Sequence, residues 1–156
     1  MSSMESYFEK ETMYTEEQYY MAMAGFVKAL REQFGDGVLA KATKHFGNIA
    51  LQQWQTIAKE NGSNSIEDFI NIFWKNNRYV EYEMEKTPEG IHIRCRRCKF
   101  CEMAKKNDVA EECYFLSCAT DPYITEGFNP NIGLRKTKTL MQGNVCCNHF
   151  YYMKNK

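Results

Sequence analysis

Apolar residues recur every three or four positions as far as Trp74 and every second position from Val80 onward. That single change of period confines the chain to a fold in which helices come first and a half-buried antiparallel sheet follows. Thr15-Glu16-Glu17-Gln18 has the form of a capping box, and Tyr19, Met23, Phe26, Val27, Leu30 and Phe34 then mark one helical stripe as far as Gly35. Asp36 stands where it would cap a second helix, whose apolar face runs from Leu39 through Phe46 and Trp54 to Ala58 before Asn61-Gly62 ends it. Ser65 with Asp68 opens a third, shorter helix carrying Phe69, Ile70, Phe73 and Trp74.

From Arg78 the pattern is that of a hairpin with one wet face. Val80, Tyr82 and Met84 alternate with Glu81, Glu83 and Glu85; Thr87-Pro88-Glu89-Gly90 supplies the turn; Ile91, Ile93 and Cys95 alternate with His92, Arg94 and Arg96. Cys98 to Asn107 reads as helix, and Asp108 with Glu111 is placed to cap another that runs through Cys113 and Leu116 toward Cys118. Gly127-Phe128-Asn129-Pro130 reads as a loop, followed by a last hairpin with strands near 134–141 and 145–153 turned by Gln142-Gly143-Asn144. The expected class is α+β: N-terminal helices packed on a four-stranded antiparallel sheet, with a helical insert between the two hairpins. One domain is expected over residues 1–156, with a helical half at about 15–75 and a cysteine-rich sheet half at about 78–153.

Charge excludes one class of partner. Lys plus Arg and Asp plus Glu both number 20, and no basic stripe is interleaved with aromatics, so nothing collects phosphates and no nucleic acid is expected. The opening MSSMESYFEK lacks an apolar signal region and no run of about 18 apolar residues occurs, so a cytoplasmic protein without a membrane partner is expected. Seven cysteines, an odd number without a secretion signal, point to reduced thiols. Ten Tyr and ten Phe exceed what a minimal core needs, which suits a small-molecule pocket or a subunit interface and leaves a homodimer open.

All the cysteines lie between Cys95 and Cys147, and thiolate and imidazole are what soft metals and nucleophilic catalysis use. Cys95, Cys98 and Cys101 form two overlapping C-x-x-C steps, but no second separate step completes a zinc ribbon, so core sulfur is the simpler reading there. Cys118 and Asp121 stand three residues apart where a helix gives way to a loop, a placement that suits a nucleophile with a base, although Asp121 with Pro122 could equally just open a turn. On the last strand Val145, Cys147, His149 and Tyr151 share a face, so Cys147 and His149 point the same way. His45 reads as structural, His92 as outward-facing, and the Glu81, Glu83, Glu85 row as a solvated face. If a metal is present, zinc held by Cys98, Cys118, Cys147 and His149 is the candidate; the cofactor is otherwise left open.

The run Cys98-x-x-x-Glu102-x-Ala104, then Cys118-x-x-Asp121, then Gly127-Phe128-Asn129-Pro130, then Thr137-x-Thr139-Leu140-x-x-Gly143-x-x-x-Cys147 resembles the bacterial L-2-amino-thiazoline-4-carboxylic acid hydrolase family. The motif-bearing match covers about residues 78–152. The same end of the chain is also similar to vinyl-reductase-type small-molecule-binding domains, which keeps a non-catalytic ligand or zinc sensor as the alternative. The hydrolase resemblance implies opening of a cyclic amidine at its C–N bond to give a carbamoyl-cysteine. Such chemistry needs an activated water or a thiolate, a proton donor for the departing nitrogen, and a cation for the substrate carboxylate. On these positions Asp121 is assigned to water activation, Cys118 or Cys147 to direct attack, His149 to proton delivery, Arg94 or Arg135 to the carboxylate, and Cys98 to the substrate pocket.

Overall fold

The computed structural model describes residues 15–154. Helix α1, Glu16–Phe34, begins with the capping box read from the sequence: Thr15 Oγ1 accepts from the Gln18 amide at 3.1 Å and Gln18 Oε1 from the Thr15 amide at 2.8 Å. Helix α2, Gly37–Asn61, stops at Gly62, whose φ of +71° lies in the left-handed region that glycine adopts without a Cβ clash. Helix α3, Ile66–Phe73, is capped by Ser65 Oγ, which accepts from the Asp68 amide at 3.1 Å. Asp36 does not cap α2. Its backbone is already helical, and its carboxylate instead accepts from Arg31 Nε at 2.6 Å.

Strands β1, Val80–Thr87, and β2, Gly90–Cys98, form the expected hairpin. With β3, Ile132–Lys136, and β4, Cys147–Met153, they make one antiparallel sheet in the order β1-β2-β4-β3. Between the hairpins lie α4, Lys99–Lys106, α5, Ala110–Leu116, a short 3-10 turn at Cys118–Thr120, and α6, Asp121–Phe128.

Three local expectations change. Asp108 caps nothing: it takes a positive φ of 57°, Val109 precedes α5 without a side-chain cap, and the Asp108 carboxylate pairs with Lys28 at 2.6 Å. Gly127 and Phe128 close α6 instead of forming a loop, because Pro122 sits in the first turn, where a missing amide hydrogen costs nothing. The last hairpin is wider than expected, since β3 ends at Lys136 and a 3-10 turn occupies Leu140–Gln142. There side chains replace the ladder: Asn148 Oδ1 accepts from the Thr137 and Lys138 amides, and Asn144 Oδ1 from that of Thr139.

Packing divides the N-terminal helices between two partners. The inner face of the sheet, with Ile91, Ile93, Cys95, Ile132, Cys147 and Tyr151, buries itself against Phe69, Ile70 and Trp74 and against Phe128 of α6. Trp54 of α2 locks that layer, its ring centroid 5.6 Å from Phe69, 5.4 Å from Phe73 and 5.9 Å from Phe128. Helix α1 and the start of α2 pack on the insert instead, joining Ala24, Val27 and Leu39 to Cys101, Ala104, Cys113 and Leu116. Gly47 lets α2 approach α6 closely, since a Cβ there would sit 2.6 Å from the Tyr123 ring. The outer sheet face is open, and on it His92 stacks on Phe150 with centroids 4.2 Å apart. Among the described residues no helix is long and apolar enough to cross a membrane.

Candidate active site

Alternation along β4 turns Cys147, His149 and Tyr151 inward, and the β3–β4 register sets Lys136 opposite His149. The start of α6 brings Asp121 to the same place. Lys136 Nζ lies 2.6 Å from Asp121 Oδ2 and also donates to the Cys118 carbonyl, while His149 Nε2 lies 3.2 Å from the same Asp121 oxygen. All three side chains are nearly enclosed, at 10 %, 14 % and 7 % exposure for Lys136, Asp121 and His149. Burying such ions costs several kcal/mol unless each finds its counter-charge, as these do. Burial pushes the Asp121 carboxyl up, but the Lys136 charge and the His149 and Lys136 hydrogen bonds together outweigh it, and the carboxyl sits below its ordinary range. Burial pushes Lys136 down, and the Asp121 carboxylate more than reverses that.

An ionised carboxylate only accepts, so His149 Nε2 carries the hydrogen, and in the neutral ring Nδ1 is then the lone-pair nitrogen. That Nδ1 is buried and has no hydrogen-bond partner within the protein. The ring is held by aromatic neighbours, edge-on to Trp74 at 4.9 Å and parallel to Tyr151 at 6.0 Å between centroids. Trp74 is in turn fixed by its indole hydrogen bond to Tyr151 Oη at 3.1 Å. A buried imidazole nitrogen left unpaired is costly, and it is a basic atom available to a reactant.

The group opens on a cavity of about 230 Å³ lined by four thiols, Cys95, Cys98, Cys118 and Cys147, and walled by Tyr20, Trp74 and Phe100. The thiols differ in character. Cys147 faces Cys95 across the β2–β4 pairing and its sulfur accepts from the Leu140 amide at 3.2 Å. The Cys95 thiol beside it is the largest influence; with the Leu140 amide and the His149 and Lys136 charges it overcomes burial and holds Cys147 below the ordinary thiol value. The Cys95 thiol itself donates to the Arg97 carbonyl at 3.1 Å. Cys118 goes the other way: burial first, then the Asp121 charge, push it above the thiol range. Cys98 is raised by burial as well, and its sulfur caps α4 by accepting from the Cys101 amide at 3.4 Å.

The sequence model of the L-2-amino-thiazoline-4-carboxylic acid hydrolase family matches residues 15–151. The chain belongs to this family. A search of curated proteins found no match. The family match takes in the helical half as well as the cysteine-rich stretch whose motifs first carried the resemblance, so α1 and Trp74, which wall the cavity, are part of the family's fold.

Of the residues singled out from sequence, Cys98, Cys118, Asp121, Cys147 and His149 line this one cavity. Arg94 and Arg135 do not. They pair with Asn148 and Phe150 in the sheet and line a separate cleft on its outer side, where Arg135 lies over the Phe150 and Tyr152 rings. Strand parity explains this, since a shift of one residue reverses the face a side chain takes. Lys136, one position on, is the cation that reaches the site, and inward-facing Ile132 and Leu134 were the available signal for it. Among the described residues no group of three or more His, Cys, Asp or Glu is placed to hold a metal ion.

Proposed function

We propose that this protein hydrolyses the C–N bond of a cyclic amidine, with Cys147 as nucleophile and His149 as acid and base. The reading rests on one observation above others: Cys147, held toward thiolate, shares a strand face and a cavity with a histidine tied to a buried carboxylate. Positions two apart on a strand lie about 6.5 to 7 Å apart, which lets both side chains reach one small ring. In the first step Cys147 Sγ bonds to the amidine carbon. The thiol hydrogen of Cys147 passes to His149 Nδ1 as that bond forms; the bond from the carbon to the ring nitrogen then breaks, and His149 returns the proton to that nitrogen. Water, deprotonated by His149, then attacks the same carbon; the carbon–Sγ bond breaks and the thiolate is restored. One water is consumed, and a 2-amino-thiazoline leaves as the open carbamoyl compound.

Asp121 serves this scheme by fixing the imidazole's tautomer and stabilising it when charged, as the carboxylate of a catalytic triad does. Its lowered pKa and its two partners on Oδ2 leave it poorly suited to take a proton. Lys136 pins Asp121 in turn. The test is release of carbamoyl product from 2-amino-thiazoline and from its 4-carboxylate, followed by mass spectrometry. Cys147→Ala should abolish turnover, and Asp121→Asn should lower it by about 10² to 10⁴ through the wrong tautomer. Full activity of Cys147→Ala, or no turnover of either amidine by the parent protein, would overturn the proposal; the second result would favour the ligand-binding alternative.

A further inference from the structure

The cavity is poor in positive charge. Lys136 is the one lysine or arginine among the described residues that lines it, and two of its three ammonium hydrogens are taken by Asp121 and the Cys118 carbonyl. The arginines suited to a carboxylate, Arg94 and Arg135, stand on the far side of the sheet. Negative groups, by contrast, are in excess. Glu16 and Glu17, in the first turn of α1, line the solvent end of the cavity and share a single guanidinium, with Arg78 Nη2 at 3.0 Å and 3.5 Å. Glu17 also accepts from the Tyr79 hydroxyl at 2.9 Å. With Asp121 matched by Lys136 and two glutamates sharing one arginine, the fixed charge at the cavity is negative in balance.

Five aromatic rings, Tyr20, Phe73, Trp74, Tyr79 and Phe100, form much of the remaining wall. Tyr20 and Phe100 meet edge to face at 4.4 Å, Tyr79 and Phe100 at 6.2 Å, and Trp74 closes the inner end. Ring faces carry partial negative charge and attract cations. Low-dielectric walls concentrate a field of one sign inside a cleft, so an anion is repelled and a cation gathered. We infer that the substrate of this chain is a small cationic cyclic amidine without a carboxylate, a 2-amino-thiazoline or similar cyclic isothiourea whose other ring positions are apolar, in place of the 4-carboxylate of the family's name. The inference rests on the proposed reaction and narrows its substrate class. A protonated amidinium is also the more electrophilic partner for a thiolate, so the charge that draws the ring in assists the attack.

The test is isothermal titration calorimetry on the full-length Cys147→Ala protein at neutral pH, with 2-amino-2-thiazoline and with its 4-carboxylate, which differ only in the anion. Without the thiolate, the selectivity comes from Glu16 and Glu17. The carboxylate-free cation should bind at least about tenfold more tightly, and added salt should shrink the advantage because the two glutamates are solvent-screened. Adding Glu17→Gln, a half-buried first-turn change whose folding is checked by circular dichroism, should narrow the gap several-fold. Equal or tighter binding of the carboxylate, binding of neither compound, or a gap unmoved by Glu17→Gln overturns the inference. Turnover by the unsubstituted protein separates the two claims. Cation-selective binding without hydrolysis counts against the reaction alone, and hydrolysis with the carboxylate preferred counts against the substrate class alone.

Discussion

Replacing Lys136 by Met should be among the most damaging single changes outside the aromatic core, although a lysine in a strand rarely is. Lys136 Nζ sits 2.6 Å from Asp121 Oδ2 with both side chains nearly enclosed, so the substitution strands a carboxylate in a low-dielectric site with only His149 beside it. Breaking a buried pair from one side costs about 3 to 5 kcal/mol; the slight exposure of Asp121 and the remaining imidazole reduce this to about 2 to 4 kcal/mol. With a urea m-value of about 2 kcal/mol/M, mid-range for a small domain, the unfolding midpoint should fall by about 1 to 2 M. The pH dependence should reverse as well. In the parent protein the Asp121 pKa is depressed, so its contribution is present above the unfolded value near 3.9 and is lost as pH falls through the lower folded value. In Lys136→Met, burial dominates and raises it, so the folded variant binds a proton more readily than the unfolded chain does, and its deficit should shrink as pH falls toward 4. The double variant Asp121→Asn with Lys136→Met removes both charges and should lose less than the two single losses combined, by at least about 1 kcal/mol of coupling. Additive losses, or a Lys136→Met midpoint within experimental error of the parent, would refute the buried-pair account.

Limited iodoacetamide with peptide mapping should modify Cys147 ahead of Cys95, Cys98 and Cys118 at neutral pH, with an apparent pKa below the ordinary thiol value of about 8.5; Cys95→Ala should slow it, having removed the neighbouring thiol that lowers it most. Stability in urea should decline as pH rises past about 8.5. Burial raises Cys98, Cys101, Cys113 and Cys118 in the folded state, so their contribution is present below the unfolded pKa and is lost above it, while Cys147 alone opposes the trend. A flat profile between pH 8 and 10 would count against the buried-thiol description. Phe69→Ala, at the centre of the sheet–helix layer, should cost about 3 to 5 kcal/mol by urea unfolding, and a loss under about 1 kcal/mol would place the core elsewhere.

The helices and the first hairpin were readable because their signals are local. A cap such as Thr15 with Gln18, a stop such as Gly62, and alternation such as Ile91, Ile93, Cys95 each depend on a few neighbouring residues. The second hairpin was misjudged in length because its edges are set by contacts that propensity does not carry. Asn148, eleven residues from Thr137, takes over two amides that a longer β3 would have offered to β4. Helix α6 was hidden for a related reason: Gly127 and Asn129-Pro130 look like loop punctuation, yet Gly127 is where α6 touches the backbone of Leu51 in α2 too closely for a side chain.

At the site, residue types that carry chemistry were legible and their electrostatic differences were not. Cys118 beside Asp121 and Cys147 beside His149 look equivalent in one dimension. In the fold, Cys118 is buried next to a carboxylate that disfavours its thiolate, while Cys147 lies opposite Cys95 on β2 and accepts a hydrogen bond from the Leu140 amide, neither adjacent in sequence. The choice between Arg135 and Lys136 shows the same limit from the other side. Both are cations near the end of one strand, and only the parity fixed by Ile132 and Leu134 decides which meets Asp121. Because that parity sends the guanidinium outward and spends the lysine on Asp121, the fold leaves the cavity without a free cation. The consequence for substrate charge follows from one residue's position on a strand, which is why swapping the two, Arg135→Lys with Lys136→Arg, should keep a cation on the outer face, losing there only the guanidinium's contact with the Phe150 and Tyr152 rings, and should disturb the Asp121 pair, lowering turnover without creating a carboxylate site.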